Sequence, residues 1–260
     1  MERNRVLAVI PARYSSTRFP GKPLALLAGK PMVVHVVERA REAGCFDEVI
    51  VATDDERIAR AAALAGARSV LTGPCRSGSD RVAEAVRDLP ADVVLNVQGD
   101  EPAQPPENLK LLAGFLRTHP EVPMATLALS GTPNDLDNPN VVKVVCDLSG
   151  RALYFSRAAI PYPRYPGVDI VLRHVGLYGF QREALLAFAS WPETELERTE
   201  GLEQLRALAH GLALQVLPAA ADSIAVDTPE DIAPAEAALV ALLRDTTAKR
   251  EEWRGEREKP

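Results

Sequence analysis

Cysteine is scarce: Cys45, Cys75 and Cys146 are the only three in 260 residues. They form no CxxC pair, match no zinc-ligand spacing and cannot close into an even disulfide set. They read as small buried hydrophobes in a reducing compartment. Long apolar runs are missing as well, and none approaches the roughly 18 residues of a membrane span. The opening MERNRVLAVI has only a brief apolar segment that passes straight into PARYSS, which is not a signal-peptide pattern. The expectation is a soluble, cytoplasmic protein with no membrane partner. Positive charge is not in surplus either, since 30 Lys and Arg face 36 Asp and Glu for a net charge of −6. A nucleic acid polymer is thereby excluded as main partner, because binding a phosphate backbone needs clustered cationic excess. A mononucleotide needs only local cations. Two common phosphate loops are absent too. Lys22 is followed by Pro23 where a Walker A loop needs Ser or Thr, and no GxGxxG follows the first strand. A P-loop NTPase and a dinucleotide-dependent dehydrogenase are excluded, and no internal repeat is present.

What is there begins with VLAVIPARYSSTRFPGK, Val6 to Lys22. Val6–Ile10 is short, aliphatic and closed by Pro11, which predicts a buried strand. Arg13, Arg18 and Lys22 then sit just past a strand's carboxyl end, where open α/β sheets bind ligands. Fixed cations at that edge call for an anion of several charges, such as a triphosphate. Gly21 allows close backbone approach, and Ser15, Ser16 and Thr17 supply hydroxyl donors.

Strand and helix signals then alternate. Pro31 opens a helix ended by Gly44, Glu48–Ala52 is a strand, and Thr53 is placed to cap the next helix. Arg68–Leu71 is a short strand before a helix near Asp80–Asp88. Ala91–Val97 is the most strand-like segment, and it empties into Gln98-Gly99-Asp100-Glu101-Pro102, which points carboxylates into the same cleft. Asp100 is there a natural magnesium ligand. Pro105–Thr118 reads as a helix, Pro123–Ser130 as a strand and GTPNDLDNPN as a polar loop. Val141–Cys146 and Arg151–Phe155 form a hairpin about DLSG that breaks the alternation, an antiparallel excursion whose exposed apolar residues suit a homodimer contact.

Leu172–Phe180 follows as a strand with His174 and Tyr178 on one face. Helices are expected near Arg182–Ser190 and Glu195–His210, and short strands at Leu214–Pro218 and Ser223–Val226. The second of these would bring Asp227 to a carboxyl edge beside Asp100 as a second magnesium ligand. DTPED is also a good helix start, so Asp227 or Thr228 as an N-cap stays open. The expected organisation is one domain over residues 1–244 and a charged tail over 245–260, either an extended helix end or disordered.

Assembled, these motifs closely resemble the 3-deoxy-manno-octulosonate (Kdo) cytidylyltransferase family. The resemblance runs from PARYSSTRFPGKPL through VATDDERIA, SGSDR, VLNVQGDEP, NPNVVKVV, LYFSRAAIP, RHVGLYGF and LEQLRAL to VDTPEDI. Departures are Asp80, where the family more usually has Glu, and a short loop from Pro161 to Leu172. The resemblance implies a Rossmann-like nucleotidyltransferase fold, an α/β architecture whose mixed, mostly parallel sheet is flanked by helices, assembled as a homodimer. It also implies transfer of CMP from CTP to Kdo with Mg2+. Asp100, Asp227, Lys22 and Arg13 would be catalytic; Arg13, Ser16, Arg18 and Lys22 would hold the triphosphate, with Thr53, Asp54, Ser79 and Arg81 around cytosine and ribose. Gln98, Arg157, His174, Tyr178, Glu203 and Gln204 would hold the sugar, an Arg forking to its carboxylate and the others bonding its hydroxyls. Read alone, Tyr178 is equally a core residue, and Glu203 and Gln204 equally the wet face of a helix. A cytidylyltransferase for 8-amino-Kdo or a sialic acid, and a non-catalytic nucleotide-binding homologue, are the competing readings.

Overall fold

The computed structural model describes residues 4–15, 19–165 and 171–257, with side chains described as far as residue 244. In chain order the elements are β1 (Val6–Ala12), β2 (Leu26–Leu27), β3 (Lys30–Pro31), α1 (Met32–Ala43), β4 (Glu48–Thr53), α2 (Glu56–Leu64) and β5 (Arg68–Leu71). Next come α3 (Gly78–Val86), β6 (Val93–Asn96), α4 (Pro106–Thr118), β7 (Met124–Ser130), α5 (Pro133–Asp137), β8 (Lys143–Cys146) and β9 (Ala152–Ser156). The chain continues with β10 (Leu172–Gln181), α6 (Arg182–Ser190), α7 (Glu195–Glu200), α8 (Gln204–Ala209), β11 (Leu214–Pro218) and α9 (Ile232–Arg257).

β1 lies at the centre because it is apolar on both faces, a strand that needs helices above and below. Val6, Ala8 and Ile10 pack with α1, α2 and α4, while Leu7 and Val9 pack with α3 and α6 on the other side. The main sheet runs β11-β7-β10-β6-β1-β4-β5, and β8 and β9 extend it from β10. β1 pairs in parallel with β4 and β6, and β10 runs antiparallel to both β6 and β7. The mixed, mostly parallel sheet flanked by helices is the architecture that the motifs imply. The antiparallel excursion is the hairpin of β8 and β9. One of its faces is not exposed as the alternation suggested, since Val144 and Phe155 are buried in the core; Leu153 remains open to solvent.

β1 does not stop at Ile10. It continues through Pro11, opposite Ala52 of β4, to Ala12. The β6 ladder ends at Asn96, so the missing Pro11 N–H faces a side on which the ladder has already parted. Gly99 passes through that space: a Cβ there would stand 2.5 Å from the Pro11 carbonyl oxygen. Gly99→Ala forces a backbone shift and is expected to cost about 2–3 kcal/mol. Urea unfolding checks this, and a loss below about 0.5 kcal/mol would show that the contact relaxes freely.

Several sequence assignments are corrected by packing. Asp55, not Thr53, caps α2, accepting the Arg57 N–H, because β4 runs on and buries Thr53. The polar GTPNDLDNPN segment contains α5, with Thr132 and Asp135 forming a capping box. The single helix expected to end at His210 is two, α7 and α8, parted by Gly201 at φ 64°. Ser223–Val226 is not a strand. It forms no ladder among the described residues; instead Val226 inserts among Leu27, Met32 and Ala235 and donates its N–H to the Asp100 carbonyl at 2.9 Å. The three cysteines are free and half-buried rather than buried. No described helix is long and apolar enough to cross a membrane.

Candidate active site

Parallel pairing puts the exits of β1 and β6 at one edge of the sheet, and the β1 exit carries cations while the β6 exit carries acids. Between them is a cavity of about 270 Å³, lined by Arg13 and Lys22, by Ser77, Gly78 and Arg81 of the α3 end, and by the Gln98–Asp100 turn. Asp227 closes it from the strap that Val226 anchors. The loop after β1 folds back because Gly21 takes φ 73° and donates its N–H to the Tyr14 carbonyl at 2.9 Å. Gly21 is therefore required by the turn, which delivers Lys22 into the cavity. Ser16 and Arg18 lie outside the described residues.

Lys22 is the hub. Its Nζ donates to Asp100 Oδ2 at 2.7 Å and to the Val226 carbonyl at 2.8 Å, and lies 3.7 Å from Asp227 Oδ1. Two carboxylates distant in sequence thus converge on one cation. Without it they would repel by roughly 4 kcal/mol at 4 Å and an effective dielectric near 20. Their all-oxygen donor set suits a hard cation such as Mg2+. Among the described residues no group of three His, Cys, Asp or Glu could hold a metal ion. The helix-cap alternative falls to Thr228 and Asp231: Asp231 Oδ2 accepts the N–H groups of Asp227 and Thr228 at 2.9 and 2.8 Å.

Thr53, Asp54 and Ser79 stand behind the cavity wall. Asp54 accepts from Arg81 Nη2 at 3.2 Å and from the Tyr14 N–H at 3.1 Å, joining α3 to the loop after β1. Ser79 is buried, donating to Glu203 Oε1 at 2.7 Å and accepting from Asn96 Nδ2 at 3.0 Å. Tyr178 donates to Gln204 Oε1 at 2.9 Å. Tyr178 and Gln204 are both buried, so neither is a solvated helix face nor plain core. Asn96 is directly opposite Tyr178 in the β6–β10 register, making this one polar network under the cleft. Burial, relieved in part by the Ser79 hydroxyl, holds the Glu203 carboxyl above its ordinary range. Burial, with Asp100 adding to it, pushes Glu101 up to about 7.

His174 joins this set because β10 is antiparallel, so its amino-terminal half lies at the edge where β6 ends. The His174 and Tyr178 rings are 5.4 Å apart, on one face as alternation predicts. Arg157 belongs to a neighbouring cluster. Its Nε donates to the Glu200 carbonyl at 2.8 Å and its Nη1 to the Pro139 carbonyl at 3.1 Å. Beneath it lies Lys143, wholly buried, donating to the carbonyls of Asn138, Val141 and Arg157 at 2.9, 2.7 and 2.6 Å. Burial and the Arg157 charge lower the Lys143 pKa. Sequence reasoning missed Ser77, Asn96, Lys143 and Glu200. Ser77 alone had a local signal, three residues before Asp80 at a helix start, and it caps α3 by accepting the Asp80 N–H.

Residues 7–216 match the cytidylyltransferase family. A 3-deoxy-manno-octulosonate cytidylyltransferase of Anaeromyxobacter sp. (strain Fw109-5) is 52% identical over 244 residues, spanning 93% of this chain and 99% of that protein. The protein of the same name from Myxococcus xanthus (strain DK1622) is 47% identical over 93% of this chain and 99% of its own. Among solved structures, a CMP:2-keto-3-deoxy-manno-octonic acid synthetase complexed with CTP superposes with a TM-score of 0.87 at 39% identity, covering 92% of this chain and 99% of that one. A 4-diphosphocytidyl-2C-methyl-D-erythritol synthase from Anaerococcus prevotii, at 16% identity and a TM-score of 0.61, shares the fold.

Proposed function

Because this chain belongs to the cytidylyltransferase family, we propose that its cavity transfers CMP from CTP to the anomeric hydroxyl of Kdo, giving CMP-Kdo and pyrophosphate. The observation that carries this reading is the meeting of Lys22, Asp100 and Asp227 with the α3 amino end and Gln98 in one cavity. The sugar oxygen attacks the α-phosphorus, its proton is released, and the bond from that phosphorus to the bridging oxygen breaks with the electron pair leaving on pyrophosphate. No enzyme nucleophile is needed, so catalysis consists of positioning and charge neutralisation.

Arg13 and Lys22, with Arg18 from the same loop, hold the triphosphate and neutralise the leaving pyrophosphate. The α3 amino end at Ser77 and Gly78 adds backbone N–H groups suited to anionic oxygens. Asp100 and Asp227 would hold Mg2+, which when bound supplies neutralisation of phosphate charge. Asp54, Ser79 and Arg81 brace the nucleotide wall. Gln98 from the cavity lining, with His174, Tyr178, Glu203 and Gln204 from the network beneath it, is assigned to the sugar hydroxyls, and Arg157 from the neighbouring cluster to the sugar carboxylate. The product fits synthesis of a lipopolysaccharide precursor in the cytoplasm. The non-catalytic reading would be marked by loss of Asp100 or Asp227; both are present and converge on one cation.

Pyrophosphate release with CTP, Mg2+ and a panel of 2-keto sugar acids tests the assignment. Fastest turnover with Kdo is expected; preference for a sialic acid or 8-amino-Kdo would redirect it. A homodimer through the β8–β9 hairpin is part of the proposal, supported by Leu148 and Leu153, which are 110% and 60% exposed in the single chain. Light scattering at micromolar concentration should give twice the chain mass, and a strictly monomeric mass would overturn this part.

A further inference from the structure

The ladder between β7 and β10 is interrupted between Val175 and Tyr178. At that interruption Thr126 of β7 presents its hydroxyl to three neighbours. The Leu177 carbonyl is 2.7 Å away, the Val175 carbonyl 3.2 Å, and His174 Nε2 3.0 Å. Thr126 is fully buried.

A threonine hydroxyl has one hydrogen to give and lone pairs to receive, whereas a carbonyl oxygen only receives. Two oxygens 2.7 Å apart need a hydrogen between them, or their lone pairs repel. The Thr126 hydrogen is therefore committed to Leu177. What remains for His174 is a lone pair, so the hydrogen on that contact belongs to the imidazole, at Nε2. A neutral imidazole with hydrogen on Nε2 has a bare lone pair on Nδ1. Nδ1 makes no hydrogen bond to a described residue, and the His174 side chain is only half-buried. The ring is held in orientation by the Phe155 ring, edge-on at 5.0 Å, and by Tyr178.

We propose that Thr126 is a positioning residue which fixes His174 as the Nε2–H tautomer, so that Nδ1 accepts a hydrogen bond from a hydroxyl of the sugar acid. The inference rests on the reading of this cleft as a sugar-acid site. It gives His174 a part that Arg157 cannot play. The imidazole selects a hydroxyl donor and adds no positive charge at neutral pH, because partial burial against Phe155 and Tyr178 lowers its pKa, while the guanidinium is left to the carboxylate. Thr126 carried no sequence signal for this, since its place opposite the interruption arises from strand pairing.

The protein has four histidines, so long-range proton–nitrogen spectra of histidine-labelled enzyme resolve the tautomer, with His174→Asn assigning the resonance. In the unmodified protein His174 is expected to carry hydrogen on Nε2 and none on Nδ1. Thr126→Val should lose that fixed pattern and raise KM for Kdo about tenfold, the loss of one well-placed hydrogen bond, with KM for CTP unchanged. Thr126→Ser, which keeps the hydroxyl, should restore both readouts, as a purely structural role for the threonine methyl would not. Hydrogen on Nδ1 in the unmodified enzyme overturns the proposal whatever the variants do. A fixed Nε2–H pattern in Thr126→Val, or an unmoved KM for Kdo, overturns it as well. If the unmodified enzyme does not turn over Kdo, the functional reading fails and the sugar contact with it, while the tautomer measurement still decides the Thr126–His174 pairing.

Discussion

Asp227→Asn should slow turnover about 100-fold or more, near 3 kcal/mol of lost transition-state stabilisation, with an almost unchanged melting temperature. The two halves of this expectation come from different atoms. Stability at the start of α9 comes from Thr228 and Asp231, whose side chains close the capping box, and Asp231 also takes the Asp227 backbone N–H. The Asp227 carboxylate is 47% exposed and 3.7 Å from Lys22, so solvent screening leaves that ion pair little to contribute to folding. In the working site the same carboxylate would be paired with Asp100 toward Mg2+. Amide replacement keeps its shape and removes the charge. Steady-state rates across a magnesium titration, beside thermal unfolding, check both halves. Normal turnover with unshifted magnesium dependence would sink the paired-ligand reading, and a large fall in melting temperature would return Asp227 to a structural role.

The second large effect concerns stability. Arg206 is 1% exposed and donates through Nε and Nη2 to Glu197 at 2.9 and 2.6 Å, and through Nη1 to Asp80 at 2.8 Å. Its guanidinium also lies 4.6 Å over the Phe188 ring. Arg206→Met keeps the volume but leaves two carboxylates, 9% and 7% exposed, without their shared cation. Stranding buried charge is expected to cost about 3–5 kcal/mol, a large share of the roughly 5–15 kcal/mol that holds a domain folded. Asp80 lies on α3 beside Ser79 and Arg81, and α8 begins at Gln204, so the triad ties the wall proposed for the nucleotide to the one proposed for the sugar. KM for both substrates should rise. Urea denaturation with both titrations checks this, and a loss under about 1 kcal/mol would mean that the carboxylates reach water or take up protons at little cost.

Asp80 also shows how a sequence departure acquires meaning. Against the family pattern it is merely a shorter acid. In the fold it takes Arg206 on one oxygen and lies 3.3 Å from Arg76 Nε on the other.

By itself the sequence determined most strands and most helices, because aliphatic runs, proline and glycine stops, and polar turns act over a few residues. It likewise determined that Arg13, Lys22, Gln98 and Asp100 would share an edge, since each follows a strand and parallel strands end together. The tertiary structure decided what depends on distant pairing. Asp227 reaches Asp100 because Val226 is buried among Leu27, Met32 and Ala235, not because SIAV is a strand. His174 comes to lie beyond the end of β6, beside Tyr178, because β10 runs against its neighbours. The buried polar network of Asn96, Ser79, Glu203, Gln204 and Tyr178 draws on α3, β6, β10 and α8. No local pattern encodes such contacts, because the hydrogen bonds that satisfy each buried group are supplied by segments that meet only after the sheet has formed.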